Sequence, residues 1–277
     1  MRLSEKSWIK DYKSALVLLL VLLLSAFVAT FFLTARKQSL LIVFIGDSIT
    51  YGAGLGDPLH EAPPVAACDT LGKMNGIVSV DGSNQGVSGF TTVDFLPSTG
   101  TAYRKAVQAA AGLLGKKGSR GRRAAKNLLL FSIMLGTNDS AIEGPNGSPV
   151  SPSSYKANLQ TLCDSLLDAF PGCRIVINRP VWYSPNTYNG AKYLAEGLER
   201  LQAYFPEIDS LVAGYAAARP GHVYAGDKGA FSYFEKNYQT DFQSEKGRQG
   251  TFFLHPNEKG AVALGRFWAD AIYKAVK

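Results

Sequence analysis

From residue 39 to the end of the chain, short apolar runs alternate with longer stretches of helical spacing. We predict strands at 39–46, 76–80, 128–135, 174–178 and 222–226. The helices between and after them are predicted at 64–74, 99–114, 154–169, 190–203, 206–218 and 257–276. Strands that alternate with helices form βαβ crossovers, whose parallel strands are covered on both faces. The pattern predicts an α/β fold, a three-layer α/β/α sandwich with a mostly parallel sheet of about five strands.

The N-terminal segment differs, because no charged residue stands between positions 15 and 33. An apolar stretch of this length is sufficient to cross the hydrocarbon core of a membrane as a helix. Four basic residues precede it and two follow it closely, namely Arg2, Lys6, Lys10, Lys13, Arg36 and Lys37. The positive-inside rule then predicts a cytoplasmic N-terminus and a chain body on the other side of the membrane.

These features divide the chain into a cytoplasmic stub with a membrane or signal anchor, 1–38, and an extracytoplasmic domain, 39–277. The small-residue cleavage site at 33–35 is poor, which favours an uncleaved anchor over a secreted protein, although both remain open. In an oxidising compartment Cys163 and Cys173 could form a disulfide.

The net charge of +7 comes from two basic segments, the N-terminal stub and the run at 116–126. That run contains glycines and no aromatic residues, which is typical of a solvated loop, so nucleic-acid binding is not predicted. The three histidines, His60, His222 and His255, are far apart and no CxxC motif occurs. We therefore expect neither a metal site nor a cofactor.

The predicted strands end in motifs that contain residues typical of catalytic sites. The first strand ends in GDSIT, which contains Ser48, and the second leads into NQGVSG at 84–89. The third ends in GTND, which contains Asn138, and His255 stands in HPN before the last helix. Because the carboxyl ends of parallel strands meet at one edge of a sheet, these residues are expected to lie close together.

This ordered set resembles the SGNH hydrolases, the GDSL family of esterases. Ser48, Gly86, Asn138 and His255 match the four residues that name the family, and the resemblance spans roughly residues 40–275. It implies the strand order 2-1-3-4-5 and hydrolysis of carboxylic esters through an acyl-enzyme. It also implies an oxyanion hole made of the Ser48 and Gly86 backbone N–H groups and the Asn138 side-chain amide.

His255 is the credible base for Ser48, because a serine hydroxyl is a poor nucleophile until a base takes its proton. We predict that Pro256 is the first residue of the last helix and that His255 caps it. The N-terminus of a helix disfavours a charged imidazole, so His255 is expected to rest neutral.

One position departs from the family pattern. Phe252 stands three residues before His255, where the family usually has the aspartate that orients the histidine. We favour a Ser–His dyad in which a backbone carbonyl near Phe252 accepts a hydrogen bond from the imidazole. The alternative is a carboxylate from the preceding loop, such as Asp241 or Glu245.

The loop after the fourth strand is the candidate substrate-binding segment. Trp182 could stack on a sugar ring there, with Arg179 and Asn186 bonding to hydroxyls, although a core role for Trp182 fits the sequence equally well. Tyr51 and Phe90 are expected to crowd the serine, which favours a small acyl group.

Within the family, GDSIT-YGAG together with FLHPN is most similar to bacterial acetylxylan and related carbohydrate acetyl esterases. The resemblance implies an extracytoplasmic serine esterase that removes O-acetyl groups from polysaccharide or oligosaccharide. Two alternatives remain, a membrane-associated lipase or lysophospholipase of the GDSL type and a non-catalytic, glycan-binding relic.

Overall fold

The structure is a computed structural model that describes residues 16–21, 37–118 and 126–277. The chain divides into two units, Met1–Lys37 and Gln38–Lys277. The fold described below is that of the second unit.

Most of the predicted membrane anchor, 15–33, lies outside the described residues. Its described part, 16–21, is helical. Within the described residues, no helix is both long enough and apolar enough to span a membrane. The predicted basic loop at 116–126 also lies largely outside the described residues.

Parallel strands form a five-stranded sheet in the order β2-β1-β3-β4-β5. These strands are β1 (Gln38–Gly46), β2 (Ile77–Gly86), β3 (Lys126–Met134), β4 (Arg174–Ile177) and β5 (Val223–Ala225). The predicted α/β class and strand order are confirmed. Gly46 at the end of β1 lies opposite Gly86 of β2 and Met134 of β3. The residues that follow these three strands therefore meet at one edge.

Helices flank the sheet in two layers. The helices are α1 (Ser48–Tyr51), α2 (Pro58–Glu61), α3 (Pro63–Leu71), α4 (Thr101–Gly118), α5 (Pro152–Ala169), α6 (Leu194–Ala218), α7 (Ala230–Asp241) and α8 (Glu258–Val276). Helix α3 packs against α8, whereas α5 packs between α4 and α6.

The core is centred on β1, whose residues 40–45 are completely buried. A parallel strand covered on both faces has no solvent side, which explains its continuous apolar run. Phe44 of β1 stacks on Trp268 of α8 with ring centroids 6.0 Å apart. Helix α8 approaches α3 closely at Gly265, where a Cβ atom would lie 2.6 Å from the Ala66 Cβ.

Several elements differ from the prediction. The second strand was predicted to end at 80, but β2 continues to Gly86. The two helices predicted at 190–203 and 206–218 are one helix, α6, which runs through Pro206; Tyr204 and Ile208 on either side of the proline are both buried in the core. Helix α7 and the antiparallel hairpin of β6 (Glu245–Gly247) and β7 (Gly250–Phe252) were not predicted. Strands of three residues are too short to show a period. Cys163 and Cys173 are buried and free.

Candidate active site

Ser48 lies in the turn that follows β1. Asp47 caps the short helix α1, and its carboxylate accepts from the Ile49 N–H at 2.9 Å. A Cβ atom on Gly46 would lie 2.0 Å from Thr50 Oγ1, so only glycine fits at this position. The turn places Ser48 at the carboxyl edge of the sheet, where it lines a cavity.

Three side chains form a continuous hydrogen-bonded chain at this edge. His255 Nε2 lies 3.0 Å from Ser48 Oγ, and His255 Nδ1 lies 3.0 Å from both carboxylate oxygens of Glu245. Glu245 also accepts from the backbone N–H of His255 at 3.1 Å. An ionised carboxylate can only accept, so Nδ1 carries the ring proton and Nε2 is the acceptor that faces the serine hydroxyl. The arrangement has the geometry expected of a nucleophile, a base and an orienting acid.

Glu245, one of the two carboxylates named as the alternative, therefore occupies the position that we favoured for the backbone carbonyl near Phe252. The hairpin explains the difference, because it pairs Glu245 of β6 directly with Phe252 of β7. Residues opposite each other in an antiparallel pair are close neighbours. The carboxylate thus reaches His255 from across the hairpin rather than from three positions earlier in the chain.

Asp241 does not orient His255 either. Its buried carboxylate accepts from Lys259 Nζ at 2.6 Å, from Tyr233 Oη at 2.7 Å and from Thr240 Oγ1 at 2.6 Å. Burial alone would raise the pKa of Asp241, but the hydrogen bonds led by Lys259 outweigh it and lower the pKa. Asp241 connects α7 to α8 and forms no hydrogen bond or ion pair with the imidazole.

The last helix begins later than predicted. Helix α8 starts at Glu258, and its N-cap is Asn257, whose side chain accepts a first-turn N–H at 3.0 Å. Pro256 is therefore not its first residue, and His255 is not its cap. Asparagine is a strong N-cap residue, which explains the boundary. The imidazole is oriented by the hairpin carboxylate and not by the helix terminus.

Asn138 lines the same cavity, and both ends of its amide are held. Its Nδ2 donates to the Phe90 carbonyl at 2.9 Å, and its Oδ1 accepts from Tyr193 Oη at 2.6 Å. An amide nitrogen carries two hydrogens, so one N–H remains for a ligand. The Ser48 N–H is in the first turn of α1 and has no intrahelical acceptor. The Asn138 side chain and the Ser48 backbone therefore each provide an N–H donor beside Ser48 Oγ.

Gly86 is not placed to supply the third donor. Its N–H donates to Asn84 Oδ1 at 2.9 Å, and a Cβ atom there would lie 2.3 Å from Tyr51 N. Glycine is required at this position for the close approach of β2 to α1. Three residues later, Gly89 lines the cavity with a φ of +80°, and its N–H bonds to no described residue. The motif NQGVSG contains both glycines; the N–H of the predicted Gly86 already has an acceptor in Asn84, whereas Gly89 lines the cavity.

Buried carboxylates support the loops around the site. Asp139, next to Asn138, accepts from the Thr92 N–H at 3.0 and 3.1 Å and from the Thr92 hydroxyl. These bonds connect the loop after β3 to the loop after β2, which carries Gly89. Burial raises the pKa of Asp139 to about 7 and that of Asp47 to about 6.

Comparison with known proteins agrees with this geometry. The sequence model of the GDSL-like Lipase/Acylhydrolase family matches residues 44–263. The chain belongs to this family. It is accordingly a carboxylic ester hydrolase of the GDSL type, as the four motifs predict. No curated protein sequence matches the chain.

Solved structures of bacterial esterases share the fold of this GDSL hydrolase. A carbohydrate acetylesterase from Sinorhizobium meliloti is 18% identical with a TM-score of 0.50, and the match covers 86% of this chain and 99% of that one. The M. smegmatis aryl esterase is 15% identical with a TM-score of 0.53, over 85% and 99% of the two chains. A catalytic mutant of an acetylxylan esterase from Geobacillus stearothermophilus is 18% identical with a TM-score of 0.51, over 87% and 94%.

The catalytic edge of this GDSL hydrolase opens into a cavity of about 670 Å³. Besides Ser48, Asn138 and His255, its lining residues are Ala53, Ser88, Gly89, Phe90, Asp94, Gly144, Pro145, Asn146, Asn189, Gly190, Ala191, Tyr193 and Leu254. The wall segments 144–146 and 189–191 are joined where Lys192 N–H donates to the Glu143 carbonyl at 3.0 Å. Sequence reasoning missed these segments, although their Gly, Pro and Asn residues follow the third and fourth strands.

Two residues predicted to bind substrate lie elsewhere. Trp182 is 7% exposed and packs against Tyr238 and Phe242, with ring centroids at 5.4 and 6.2 Å, so the core role is the one observed. Arg179 forms an ion pair with Asp209 at 2.7 Å. The loop after β4 first turns into the core at 180–184, and its later part, 189–191, forms a wall of the cavity.

The other two predicted substrate residues are also outside the cavity. Asn186 Nδ2 donates to the Gln249 carbonyl at 3.2 Å and to the Thr251 carbonyl at 2.8 Å, which anchors the hairpin that carries Glu245. Tyr51 is 47% exposed and lines a different cavity, beside α2 and α3.

Proposed function

We propose that this protein removes O-acetyl groups from carbohydrate with a Ser48–His255–Glu245 triad. The observation that carries the proposal is the chain of 3.0 Å contacts from serine hydroxyl to imidazole to carboxylate. His255 Nε2 takes the hydroxyl proton as Ser48 Oγ attacks the ester carbonyl carbon. Glu245 stabilises the imidazolium that results.

The tetrahedral oxyanion then accepts from the Asn138 side-chain N–H and from the backbone N–H groups of Ser48 and Gly89. As the intermediate collapses, His255 gives its proton to the leaving oxygen, the sugar hydroxyl departs and an acetyl-serine ester remains. Water attacks that ester as His255 takes a proton from it. The second collapse releases acetic acid and returns the proton to Ser48 Oγ.

Polar groups around the cavity support a hydroxyl-rich leaving group. Asn146, Asn189 and Asp94 line it, and Asn189 Nδ2 bonds to no described residue, so it is available as a donor. Hydrogen-bonding side chains of this kind provide orientation and specificity in ligand sites. Solved structures with this fold include a carbohydrate acetylesterase and an acetylxylan esterase, which supports the same substrate class.

Glu245 also weakens the interpretation as a non-catalytic relic. That interpretation depends on the absence of an acid beside His255, since Phe252 stands at the family's usual position. A carboxylate within 3.0 Å of the imidazole supplies the missing group.

The test measures acetate released from acetylated xylan and other acetylated polysaccharides, alongside acetyl, octanoyl and palmitoyl esters of one chromophore. We expect acetyl esters to be hydrolysed fastest, and Ser48→Ala to abolish hydrolysis at an unchanged melting temperature. Faster hydrolysis of the palmitoyl ester would favour the lipase alternative. Activity that survives Ser48→Ala would refute the nucleophile.

We further propose that the catalytic domain lies outside the cytoplasm, attached through residues 15–33. The uncharged run and the basic residues before it support this orientation. Protease added to intact spheroplasts should then digest the catalytic domain. A domain that resists protease until the cells are lysed would contradict the proposal.

A further inference from the structure

We propose that Tyr193 is a positioning residue that holds the Asn138 amide in the orientation needed of an oxyanion donor. The inference rests on the esterase function proposed above. Tyr193 Oη donates to Asn138 Oδ1 at 2.6 Å, at the short end of the range for O–H···O bonds. Tyr193 is 4% exposed and lines the cavity beside Asn138. No sequence motif pointed to it.

The partners of the Asn138 amide leave it a single orientation. The Phe90 carbonyl can only accept, so it must face the nitrogen, and the Tyr193 hydroxyl must then donate to the oxygen. One amide hydrogen is used and the other remains for the oxyanion. Burial raises the pKa of Tyr193, so its hydroxyl keeps the proton that it donates.

Removing the hydroxyl would affect the remaining amide N–H in two ways. Asn138 Oδ1 has no other partner among the described residues, so it would be left buried and unpaired. A hydrogen bond accepted at the oxygen of an amide also polarises its N–H groups, and that support would be lost. Both effects weaken a donor whose role is to meet the developing negative charge.

The backbone around Tyr193 is held in place as well. The N–H groups of Tyr193 and Leu194 both donate to the Thr187 carbonyl at 3.2 Å. Among the described residues, Leu194 is the only non-glycine with a positive φ, at 55°. Strained residues of this kind tend to occur at functional sites, where the surrounding structure enforces them. The Tyr193 ring packs edge to face on Tyr183, with centroids 5.4 Å apart.

The test begins with Tyr193→Phe, which removes the hydroxyl and keeps the ring. We expect kcat for an acetyl ester to fall about 10-fold while KM changes less than about 2-fold, because the bond acts mainly in the transition state. Tyr215→Phe is the matched control. Tyr215 lies near the other end of α6, is buried, and its hydroxyl bonds to Asp164 Oδ1 at 2.8 Å, away from the cavity. Tyr215→Phe should lower the melting temperature by a similar amount and leave kcat unchanged.

A double-mutant cycle with Asn138→Ala decides how the hydroxyl acts. If Tyr193 works through Asn138, Tyr193→Phe lowers kcat in the wild type and causes no further loss in Asn138→Ala. If Tyr193→Phe lowers kcat by the same factor in the wild type and in Asn138→Ala, the inference is overturned, because the hydroxyl would then act on the substrate directly.

The cycle also separates this inference from the proposed function. If Asn138→Ala lowers kcat by about 10²–10³ while Tyr193→Phe leaves it unchanged, only the positioning role fails. If Asn138→Ala itself leaves kcat unchanged, the oxyanion hole of the proposed mechanism fails, and the role of Tyr193 fails with it.

Discussion

The side chains of the proposed triad take their properties from a few close partners. Glu245 contacts His255 at both the ring nitrogen and the backbone N–H, and the two side chains are 23% and 14% exposed. When His255 accepts the serine proton in the proposed mechanism, the pair becomes charged, and a charged pair that is largely removed from water interacts more strongly than an exposed pair. In the proposed mechanism, the negative charge of Glu245 therefore matters as well as the shape of its side chain.

Glu245→Gln tests that charge. The substitution keeps the size of the side chain but cannot stabilise an imidazolium, so we expect kcat/KM to fall by about 10²–10⁴. Asp241→Asn is the control, since the Asp241 carboxylate bonds to Tyr233, Thr240 and Lys259 and not to His255. It should lower the melting temperature and leave activity per folded molecule within a few-fold. Near wild-type activity in Glu245→Gln would contradict the triad.

The two glycines of NQGVSG should respond differently to substitution. In Gly86→Ala the new Cβ would lie 2.3 Å from Tyr51 N, an overlap with backbone that we expect to cost about 2 kcal/mol or more of unfolding free energy. In Gly89→Ala the Cβ meets no atom within 4 Å, and only the positive φ costs about 1–2 kcal/mol. Urea unfolding of both variants measures the difference. A larger loss in Gly89→Ala would contradict the placement.

Among the larger elements, the β6–β7 hairpin has the most direct effect on the site. Its strands are only three residues long, and a short isolated hairpin is marginally stable in water. Asn186 supports it from the loop after β4 through two carbonyls of the hairpin. We therefore expect the position of Glu245 to depend on a side chain from a distant part of the sequence.

Asn186→Ala tests this dependence. Without its two hydrogen bonds, we expect the hairpin to sample other positions and kcat to fall about 3- to 10-fold, with a small change in melting temperature. Gln202→Ala removes an exposed side-chain amide from α6 and should leave both quantities unchanged. An unaltered kcat in Asn186→Ala would show that the hairpin keeps its position without this anchor.

Across the catalytic domain, the buried acids link stability to pH. Asp139 has a pKa raised from 3.8 to about 7, so between these values the folded state binds a proton that the unfolded state has lost. Its contribution to stability is therefore greatest at acidic pH and declines as the pH rises towards 7. Asp47 changes the stability in the same direction over a narrower pH range, because its pKa is raised to about 6.

Asp139→Asn should remove this linkage, because an amide does not ionise. The variant is expected to be less stable than the wild type at pH 5, and this deficit should shrink by roughly 2 kcal/mol at pH 8, where wild-type Asp139 is charged. Denaturant unfolding at the two pH values measures the change. A deficit that stays constant or grows with pH would contradict the raised pKa.

Local patterns were sufficient for the α/β class and for the polar motifs at the strand ends, whereas the strand order came from the family resemblance. The buried run of β1, the helical spacing of α8 and the polar residues after each strand are all read within short windows of sequence. Parallel strands with crossovers then bring Ser48 and Asn138 to one edge, because the topology offers few alternatives. His255 directly follows no strand of this sheet; it was predicted as the partner of Ser48 from the HPN motif and the family resemblance, and the two side chains lie 3.0 Å apart.

The acid, the glycine donor and the cavity walls depend on contacts between distant segments. Glu245 reaches His255 through a hairpin that has no detectable period, and Tyr193 reaches Asn138 from 55 positions away. Trp182 has the composition of a sugar-binding residue but is buried, because burial depends on what packs around a loop. Periodicity and motif spacing describe neighbours along the chain, whereas these roles depend on neighbours in space, which packing of the complete domain determines.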